Sequence, residues 1–194
     1  QAGFAHKELP VADVGLQSKL LRMGNSKIVN ILLIGQDALK DSGSRSDSMI
    51  LCTFNKKDKT ITFTSFLRDL YVKIPGYKSN RINAAYRFGG TELLNETLQK
   101  NFGIEIDGNI QVDFSCFEKI IDKLGGVTVP VQQYEANYMN ANYPNCSIEA
   151  GDAVTLTGDE ALAFCRSRKC DNDGDVSRTR RQRQVIESII DRVK

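Results

Sequence analysis

Apolar residues recur with two different periods along the chain. Residues 28–34 form a nearly continuous aliphatic run that ends at Gly35, which predicts a strand buried on both faces. Residues 49–54 and 60–65 flank a charged turn, and the second run alternates apolar with polar positions, which predicts an antiparallel hairpin. The remaining strands predicted in this way are 70–74, 104–114, 127–131 and 164–168.

Helical spacing is clearest at the C-terminus, where apolar residues between Val185 and Val193 predict a helix over 178–193 with Ser177 as its N-cap. Capping boxes and glycine stops predict further helices at 81–88, 91–102, 115–124 and from 157 onward. Residues 132–146 show little periodicity and are interpreted as a long loop, a candidate lid over a site.

Strands and helices alternate without an internal repeat, which predicts an α/β fold: a three-layer α-β-α sandwich with a mixed central sheet of about five or six strands. A chain of 194 residues that is 41% hydrophobic can bury one core. We therefore expect a single domain over 27–194, preceded by an N-terminal arm or linker at 1–26. The only histidine, His6, lies in that arm, which argues against histidine-based acid–base chemistry.

Two broad classes are disfavoured. The net charge is only +2, so a generally basic surface for nucleic acid is not expected. No run of eighteen apolar residues and no signal-peptide pattern is present, so we expect that this chain neither spans a membrane nor carries an export signal.

Six of the twelve arginines lie in one short C-terminal stretch. Helical geometry places Arg178 and Gln182 on the apolar stripe of the last helix, with Arg181 at its edge. Arg166 and Arg168 share one face of the predicted strand. Because a buried arginine needs a partner and nothing local pairs them all, we expect an anion site here, with a solvated basic face or plain salt bridges as the alternative.

Acidic residues lie where the first strand ends, which is where ligands gather in α/β sheets. Asp37 and Asp47 flank Arg45 and could hold magnesium together with water and phosphate oxygens; turn-forming or capping aspartates are the alternative. Arg68 lies at another strand end, and the alternative for it is an ion pair with Asp69.

The chain has five cysteines, so at least one is unpaired. Cys52 and Cys116 fit small buried positions. One disulfide, from Cys146 to Cys170 or Cys165, is expected in preference to none, and it would imply an oxidising, exported location.

A series of short motifs resembles the LytR-CpsA-Psr family in the family's own order. The motifs are NILLIGQD at 30–37, RSD at 45–47, SFLRD at 65–69, RINAAY at 81–86, LGGV at 124–127, ALAFCRSR at 161–168 and RTRRQ at 178–182. They span about 30 to 190, most of the chain. Each motif is short, but the ordered set is highly specific.

The resemblance implies an extracytoplasmic phosphotransferase of Gram-positive-type cell envelopes. Such enzymes move a glycopolymer, of the teichoic acid or capsular polysaccharide type, from a polyprenyl pyrophosphate carrier to a sugar hydroxyl of peptidoglycan and release polyprenyl phosphate. Members are usually tethered by an N-terminal transmembrane helix. We therefore expect membrane anchoring of the full-length protein, of which this chain is the soluble part. A non-catalytic binder of lipid pyrophosphate or wall polymer, and a lipid pyrophosphatase, are the alternatives.

The resemblance also implies roles for individual residues. The family's magnesium-binding acids match Asp37 and Asp47, with manganese as the alternative ion, and Asp69 or Asp37 is the candidate acceptor of the hydroxyl proton. Arg81 stands where the family often has lysine, and Ser177 where it often has glycine. The implied catalytic set is Asp37, Asp47, Arg45, Arg68 and Asp69. The implied pyrophosphate-binding set is Arg45, Arg68, Arg81, Arg166, Arg168, Arg178, Arg181 and Gln182.

Overall fold

The computed structural model describes residues 27–36 and 46–193, so the arm predicted at 1–26 lies outside the described residues. The strands are β1 (Ile28–Gln36), β2 (Ser46–Asn55), β3 (Thr60–Ser65), β4 (Tyr71–Val72), β5 (Asn80–Arg81), β6 (Gly108–Asp113), β7 (Val127–Val131) and β8 (Gly151–Leu156). The helices are α1 (Ile82–Phe102), α2 (Phe114–Lys123), α3 (Gln133–Asn142), α4 (Gly158–Arg166) and α5 (Asp175–Val193). The predicted α/β class is confirmed.

The central sheet is mixed, as predicted. Its order is β3-β2-β1-β6, with β1 antiparallel to β2 and parallel to β6. In the described part of the chain it has four strands rather than five or six, because β4–β5 and β7–β8 form separate two-stranded sheets. Gly125 and Gly126 have φ of 76° and 93°, which turns the chain from α2 into β7 and onto its partner β8.

Helices cover both faces of the central sheet. On one face Leu32 and Met49 pack with Leu94 and Leu98 of α1 in a single buried cluster. A second buried cluster joins α2, α3, α4 and α5 to the β7–β8 hairpin, with Phe164 fully buried in it. Helix α5 also reaches the second face of the central sheet, because it bonds side chains of β2 and β3 that point away from α1. The predicted three-layer arrangement follows.

The first long helix matches its prediction closely. Residues 82–88 and 91–102 form the two halves of α1, with Arg81 as the N-cap, and Gly89 and Gly90 have non-helical backbone angles at the kink between them. Gly103 ends the helix with φ of 68°, in the left-handed region that glycine adopts at low cost. None of the described helices is both long and apolar enough to cross a membrane.

Two predictions about helix starts were wrong. The cap of α2 is Asp113, whose carboxylate accepts a 2.7 Å hydrogen bond from the Cys116 N–H, so Ser115 lies inside the helix. Helix α5 begins at Asp175, so Ser177 lies in its first turn instead of capping it. In contrast, the capping box of Thr157 and Glu160 at the start of α4 is confirmed.

The predicted loop at 132–146 was also wrong, because it contains α3. Glu135, Ala136 and Met139 are buried on its inner face. Asparagine-rich sequence has low intrinsic helix propensity, so only tertiary packing reveals this helix. The lid hypothesis for this segment loses its basis.

Candidate anion-binding site

The turn between α4 and α5 sets the geometry of the site. Helix α4 ends at Arg166, so the strand predicted at 164–168 was wrong. The Asp171 carboxylate then accepts hydrogen bonds of 3.1 and 3.2 Å from the N–H groups of Asp173 and Gly174, and Gly174 has φ of 51°. This tight turn returns the chain so that Arg168 lies beside the first residue of α5.

That first residue, Asp175, pairs with arginines from three different segments. Its Oδ1 lies 3.2 Å from Nε of Arg168 and 3.5 Å from Nη2 of Arg178, and its Oδ2 lies 4.0 Å from Nε of Arg68. An acid in the first turn also suits the positive end of the helix. Asp175 therefore holds together the β3–β4 connection, the α4–α5 turn and α5.

The charges continue outward from Arg68. Asp69 Oδ2 lies 3.9 Å from Arg68 Nε, and Asp69 Oδ1 lies 3.6 Å from Nη1 of Arg81. We call these residues the open cluster: Arg68, Arg81, Arg168 and Arg178 with Asp69 and Asp175. Four guanidinium groups and two carboxylates leave an excess charge of +2.

Exposure differs strongly within the open cluster. The side chain of Arg178 is 6% exposed, that of Arg68 26% and that of Arg81 56%. Arg178 faces inward, as its helical position predicted. Ion pairs near a buried guanidinium are less screened by water and salt than those at the rim, so electrostatic attraction for an anion is strongest at the inner end.

Gln182 joins α5 to the neighbouring elements instead of standing open. Its Oε1 accepts a 3.0 Å hydrogen bond from Ser48 of β2, and its Nε2 donates over 3.4 Å to the carbonyl oxygen of Cys165. Ser48 directly follows Asp47 in the chain. Gln182 therefore fixes the helix that carries Arg178 against the strand that carries Asp47.

Arg181 does not belong to the open cluster. It is fully buried, and its guanidinium donates to Glu135 Oε1 at 3.0 Å, to Asp171 Oδ2 at 3.2 Å and to the carbonyl oxygen of Ser167. Arg180 contacts the same Glu135 oxygen at 2.9 Å. We call Arg180, Arg181, Glu135 and Asp171 the buried network. Both Nη groups of Arg181 thus donate to protein acceptors, and the binding of pyrophosphate by Arg181 stays a prediction.

Asp171 links this network to the turn. Burial raises the pKa of its carboxyl, but hydrogen bonds from Ser177 and Arg181 outweigh that effect, so the pKa lies below its usual value. Asp171 is thus an anion at neutral pH. It neutralises Arg181 while it shapes the turn that carries Arg168.

Arg166 lies apart from Arg168. Its guanidinium stacks over the ring of Phe114 at 4.5 Å, and it lines a cleft of about 190 Å³ with Glu118 and Asp159. The pKa of the Glu118 carboxyl is raised, mainly by burial and further by the negative charges of Asp159 and Asp122. The positive charge of Arg166 opposes this shift without cancelling it. Arg166 is the last residue of α4 and Arg168 lies in the turn that follows, so the two do not share one strand face and that expectation was wrong.

The expected disulfide is not formed. All five cysteines are free thiols, including Cys146 and Cys170, which are half-buried. Cys165 is packed in the core beneath α5, and burial raises the pKa of its thiol to about 12.

The remaining candidates cannot be assigned contacts. Asp37 and Arg45 lie outside the described residues, and Asp47 lies in β2 with its side chain undescribed. Within 27–36 and 46–193, no group of three histidine, cysteine, aspartate or glutamate side chains is close enough to hold a metal ion. The magnesium site therefore stays a prediction.

Sequence reasoning missed three residues that organise the site: Asp175, Glu135 and Tyr86. Asp175 carried a usable signal, since an acid three residues before Arg178 at a helix start lies on the same face. The Tyr86 hydroxyl lies within hydrogen-bond distance of the side-chain amides of Gln36, at 2.9 Å, and Gln111, at 2.7 Å, which anchors the end of β1. Glu135 lay in the segment interpreted as a loop.

A model of the LytR_cpsA_psr family matches residues 6–194. The chain belongs to this family. Polyisoprenyl-teichoic acid–peptidoglycan teichoic acid transferase TagU of Bacillus licheniformis is 39% identical over 164 residues, which covers 84% of this chain and 51% of that protein. This chain thus spans about half the length of the curated relatives it matches.

Solved structures of family members share the fold. A structure of TagT bound to LIIa-WTA has a TM-score of 0.78 at 34% identity and covers 86% of this chain and 63% of that one. A second structure, of YwtF (TagT) with bound octaprenyl pyrophosphate lipid, has a TM-score of 0.75 at 31% identity and covers 86% and 65%. At this level of identity and coverage, the mixed α/β fold of the described residues is the family fold.

Proposed function

We propose that this chain is the catalytic domain of a glycopolymer phosphotransferase. It moves a polymer of the teichoic acid or capsular polysaccharide type from a polyprenyl pyrophosphate carrier to a sugar hydroxyl of peptidoglycan. The observation that carries the proposal is the open cluster, with four arginines from separate segments and an excess charge of +2. The names of TagU and of the lipid-bound TagT structures support the substrate class.

The excess charge suits the substrate. A pyrophosphate esterified at both ends carries about two negative charges at neutral pH, which balances the cluster without a further counterion. Guanidinium groups bind phosphate oxygens through paired N–H donors, and these bonds are stronger than neutral ones. Arg168 contacts Asp175 only through Nε among its described ion pairs, and its terminal nitrogens can donate to phosphate.

The transfer breaks one bond and forms one. The acceptor hydroxyl oxygen attacks the sugar-side phosphorus, the bond from that phosphorus to the bridging oxygen breaks, and polyprenyl phosphate leaves with the bonding electron pair. The product is a phosphodiester between saccharide and acceptor. The arginines stabilise charge that develops on the leaving phosphate, which is the main contribution a protein makes to phosphoryl transfer. Asp69, at the exposed end of the cluster, is the candidate acceptor of the hydroxyl proton, with Asp37 as the alternative.

Asp37 and Asp47 are the residues we propose to hold magnesium, or manganese in its place. Their carboxylates have the ligand chemistry that such ions prefer. Next to Asp47, the Ser46 hydroxyl is fully buried and has no hydrogen-bond partner among the described residues, so it is a further oxygen donor. When bound, the ion neutralises charge on phosphate oxygens.

Metal dependence is tested on the chain itself by titration with Mn²⁺, with the free ion followed by electron paramagnetic resonance. Asp37→Asn and Asp47→Asn should each weaken binding at least tenfold, whereas Asp152→Asn, an exposed residue of β8, should not change it. Full transfer activity in excess chelator would remove the ion from the reaction.

The proposed location is the outer face of the cell membrane, where the lipid carrier and peptidoglycan meet. Membrane anchoring belongs to the full-length protein and is part of the proposal.

The decisive experiment supplies a polyprenyl pyrophosphate-linked saccharide, a peptidoglycan acceptor and magnesium, followed by mass spectrometry of the acceptor. Transfer adds saccharide plus one phosphate and releases polyprenyl monophosphate. A binder would take up lipid and release nothing. A pyrophosphatase would release sugar phosphate and leave the acceptor unmodified, and either result would refute the transferase.

A further inference from the structure

Exposed apolar side chains are concentrated in one part of the surface. Of the nine large apolar residues that are exposed in the described chain, four fall between residues 70 and 88. Tyr71 is the most open of these, at 75% exposure. Tyr77 and Phe88 stack on each other with ring centroids 4.8 Å apart while both remain exposed. Clustered exposure of this kind indicates an interaction surface, unlike apolar residues scattered singly.

The backbone directs these side chains outward together. Val72 and Ile74 are buried, so the alternation of the extended chain turns Tyr71 and Lys73 to the outside. Lys78 is exposed in the turn that carries Tyr77. We call Tyr71, Lys73, Tyr77, Lys78, Arg87 and Phe88 the aromatic-basic surface.

The charge of this region is distinct from that of the whole chain. Residues 66–91 contain five basic residues and a single acid, a net charge of +4, whereas the chain as a whole carries +2. The rest of the molecule is therefore net negative by two. Three of the five basic residues, Lys73, Lys78 and Arg87, belong to the aromatic-basic surface, and the other two, Arg68 and Arg81, belong to the open cluster.

This surface adjoins the open cluster. Tyr71 and Arg81 are direct partners in the β4–β5 pairing, so their side chains lie side by side on one face. Arg81 in turn contacts Asp69 at 3.6 Å. A partner that covers Tyr71 therefore lies next to the exposed end of the proposed pyrophosphate site.

We propose that the aromatic-basic surface rests on the headgroup layer of an anionic lipid bilayer. This proposal depends on the proposed function in one respect: it explains how a lipid-linked pyrophosphate at the bilayer surface reaches the arginines. Tyrosine has an apolar ring and a polar tip and is enriched at membrane interfaces. Lysine and arginine beside such rings are attracted to anionic headgroups.

The aromatic rings favour a bilayer over a soluble anionic polymer. A polyphosphate chain would be held by the basic residues alone and would leave Tyr71 and Tyr77 in water. A headgroup layer removes part of each ring from water, and burial of apolar area is itself favourable. The tyrosines therefore decide between the two partners.

The sharpest test uses the absence of tryptophan from the chain. Tyr71→Trp introduces a single fluorophore in the proposed contact. On addition of phosphatidylglycerol vesicles its emission should shift to shorter wavelength, and bromine-labelled acyl chains should quench it. Tyr134→Trp is the control: Tyr134 lies on α3 and is 40% exposed, and the emission of tryptophan at this position should not change when vesicles are added. A response at position 134 without one at position 71 would overturn the proposal.

Vesicle sedimentation tests the charges. Each lysine at an anionic surface contributes about fivefold in affinity, so Lys73→Ser with Lys78→Ser should weaken binding to phosphatidylglycerol vesicles about 30-fold. Lys119→Ser with Lys123→Ser removes two exposed lysines from α2 and is the matched control, with less than a threefold effect expected. Neutral phosphatidylcholine vesicles should bind weakly in every case.

Two further measurements separate this proposal from its alternatives. Tyr71→Ser with Tyr77→Ser should weaken vesicle binding and leave binding of soluble polyphosphate unchanged; equal vesicle binding by this variant would assign the surface to a polymer. Inorganic pyrophosphate without vesicles should bind the unaltered chain and the two-lysine variant alike. If neither binds it, the proposed function fails, whatever the vesicles show.

Discussion

The open cluster and the buried network meet within one turn of α5 but differ in charge balance. Arg178 and Arg181 are three residues apart, and each contacts an acid, Asp175 and Glu135 respectively. In the buried network two arginines face two carboxylates, Glu135 and Asp171, so the charges cancel around the fully buried Arg181. In the open cluster four arginines face two carboxylates, and the sum is +2.

The difference has a physical cause. An unpaired charge in the interior costs several kcal/mol, so Arg181 is retained only with complete neutralisation. Near the surface, water solvates the excess positive charge, and a bound anion can take the place of that water. Excess charge, and not the density of arginine in the sequence, therefore identifies the residues available to a phosphate ligand.

The largest effect is expected for the buried network. Arg181→Met should lower the free energy of unfolding by about 3–5 kcal/mol, because it leaves the buried Glu135 carboxylate and the partly buried Asp171 carboxylate with too little positive charge. Arg180→Met is the matched control: it removes a contact to the same Glu135 oxygen from a side chain that is 46% exposed, and should cost less than about 1 kcal/mol. Denaturant titration of both variants measures the difference. Equal losses would mean that burial does not distinguish these two arginines.

The next effect concerns catalysis in the open cluster. Arg168→Ala should lower kcat/KM for transfer about a hundredfold, which corresponds to about 3 kcal/mol, because it removes a donor to the developing phosphate charge. Its melting temperature should stay close to that of the unaltered chain, since the side chain is 36% exposed. Lys123→Ala, on the exposed face of α2, is the control for activity. Unchanged turnover in Arg168→Ala would remove this arginine from the site.

A smaller effect of opposite sign is expected at Asp175. Asp175→Asn keeps an oxygen that accepts from Arg168 and Arg178 but raises the excess charge of the cluster to +3. Removal of a negative charge roughly 6 Å from a bound anion, at an effective dielectric constant of about 40, should tighten binding by about 1.4 kcal/mol, or tenfold, for each unit of charge on the anion. Calorimetry with inorganic pyrophosphate at low and high salt measures this gain, which should shrink at high salt. Weaker binding would show that Asp175 acts mainly to position the arginines.

The smallest effect is expected for the cysteines, whose modification should leave turnover unchanged at pH 8. Burial raises the pKa of Cys52 to about 11 and that of Cys165 to about 12, so both stay protonated and unreactive toward iodoacetamide. Above about pH 9 these thiols ionise in the unfolded chain but stay protonated in the folded one. Ionisation then favours the unfolded chain, so the free energy of unfolding falls as the pH rises from 9 towards 12. Mass spectrometry after denaturation without reductant should count five free thiols. A count of three free thiols would instead show that one disulfide is present.

Local sequence was sufficient for several elements. The hairpin of β2 and β3, the kinked α1 with its glycine stop, and the start of α4 at Thr157 all follow from residue periods and caps that act within a few positions. The inward orientation of Arg178 follows from the 3.6-residue period of α5. The motif order was sufficient for the family.

Other features could not be read locally. Arg166 and Arg168 were assigned to one face because the segment was taken for a strand, but α4 ends at Arg166 and Arg168 lies in the turn after it. The pairing of Arg181 with Glu135 could not be read either, because Glu135 is 46 residues away in a helix whose asparagine-rich sequence hides its period. The first case is an error of local secondary structure, whereas the second depends on a contact that is distant in sequence.

The sequence by itself determined that the chain has an arginine-rich helix, a mixed α/β fold and the family's motifs, because these depend on residue type and short spacing. Only the tertiary structure decided which arginines are neutralised. Electrostatic pairing depends on distance and burial in space. Asp175, Glu135 and Asp171 acquire their arginine partners from other segments only when the turn before α5 and helix α3 pack against α5.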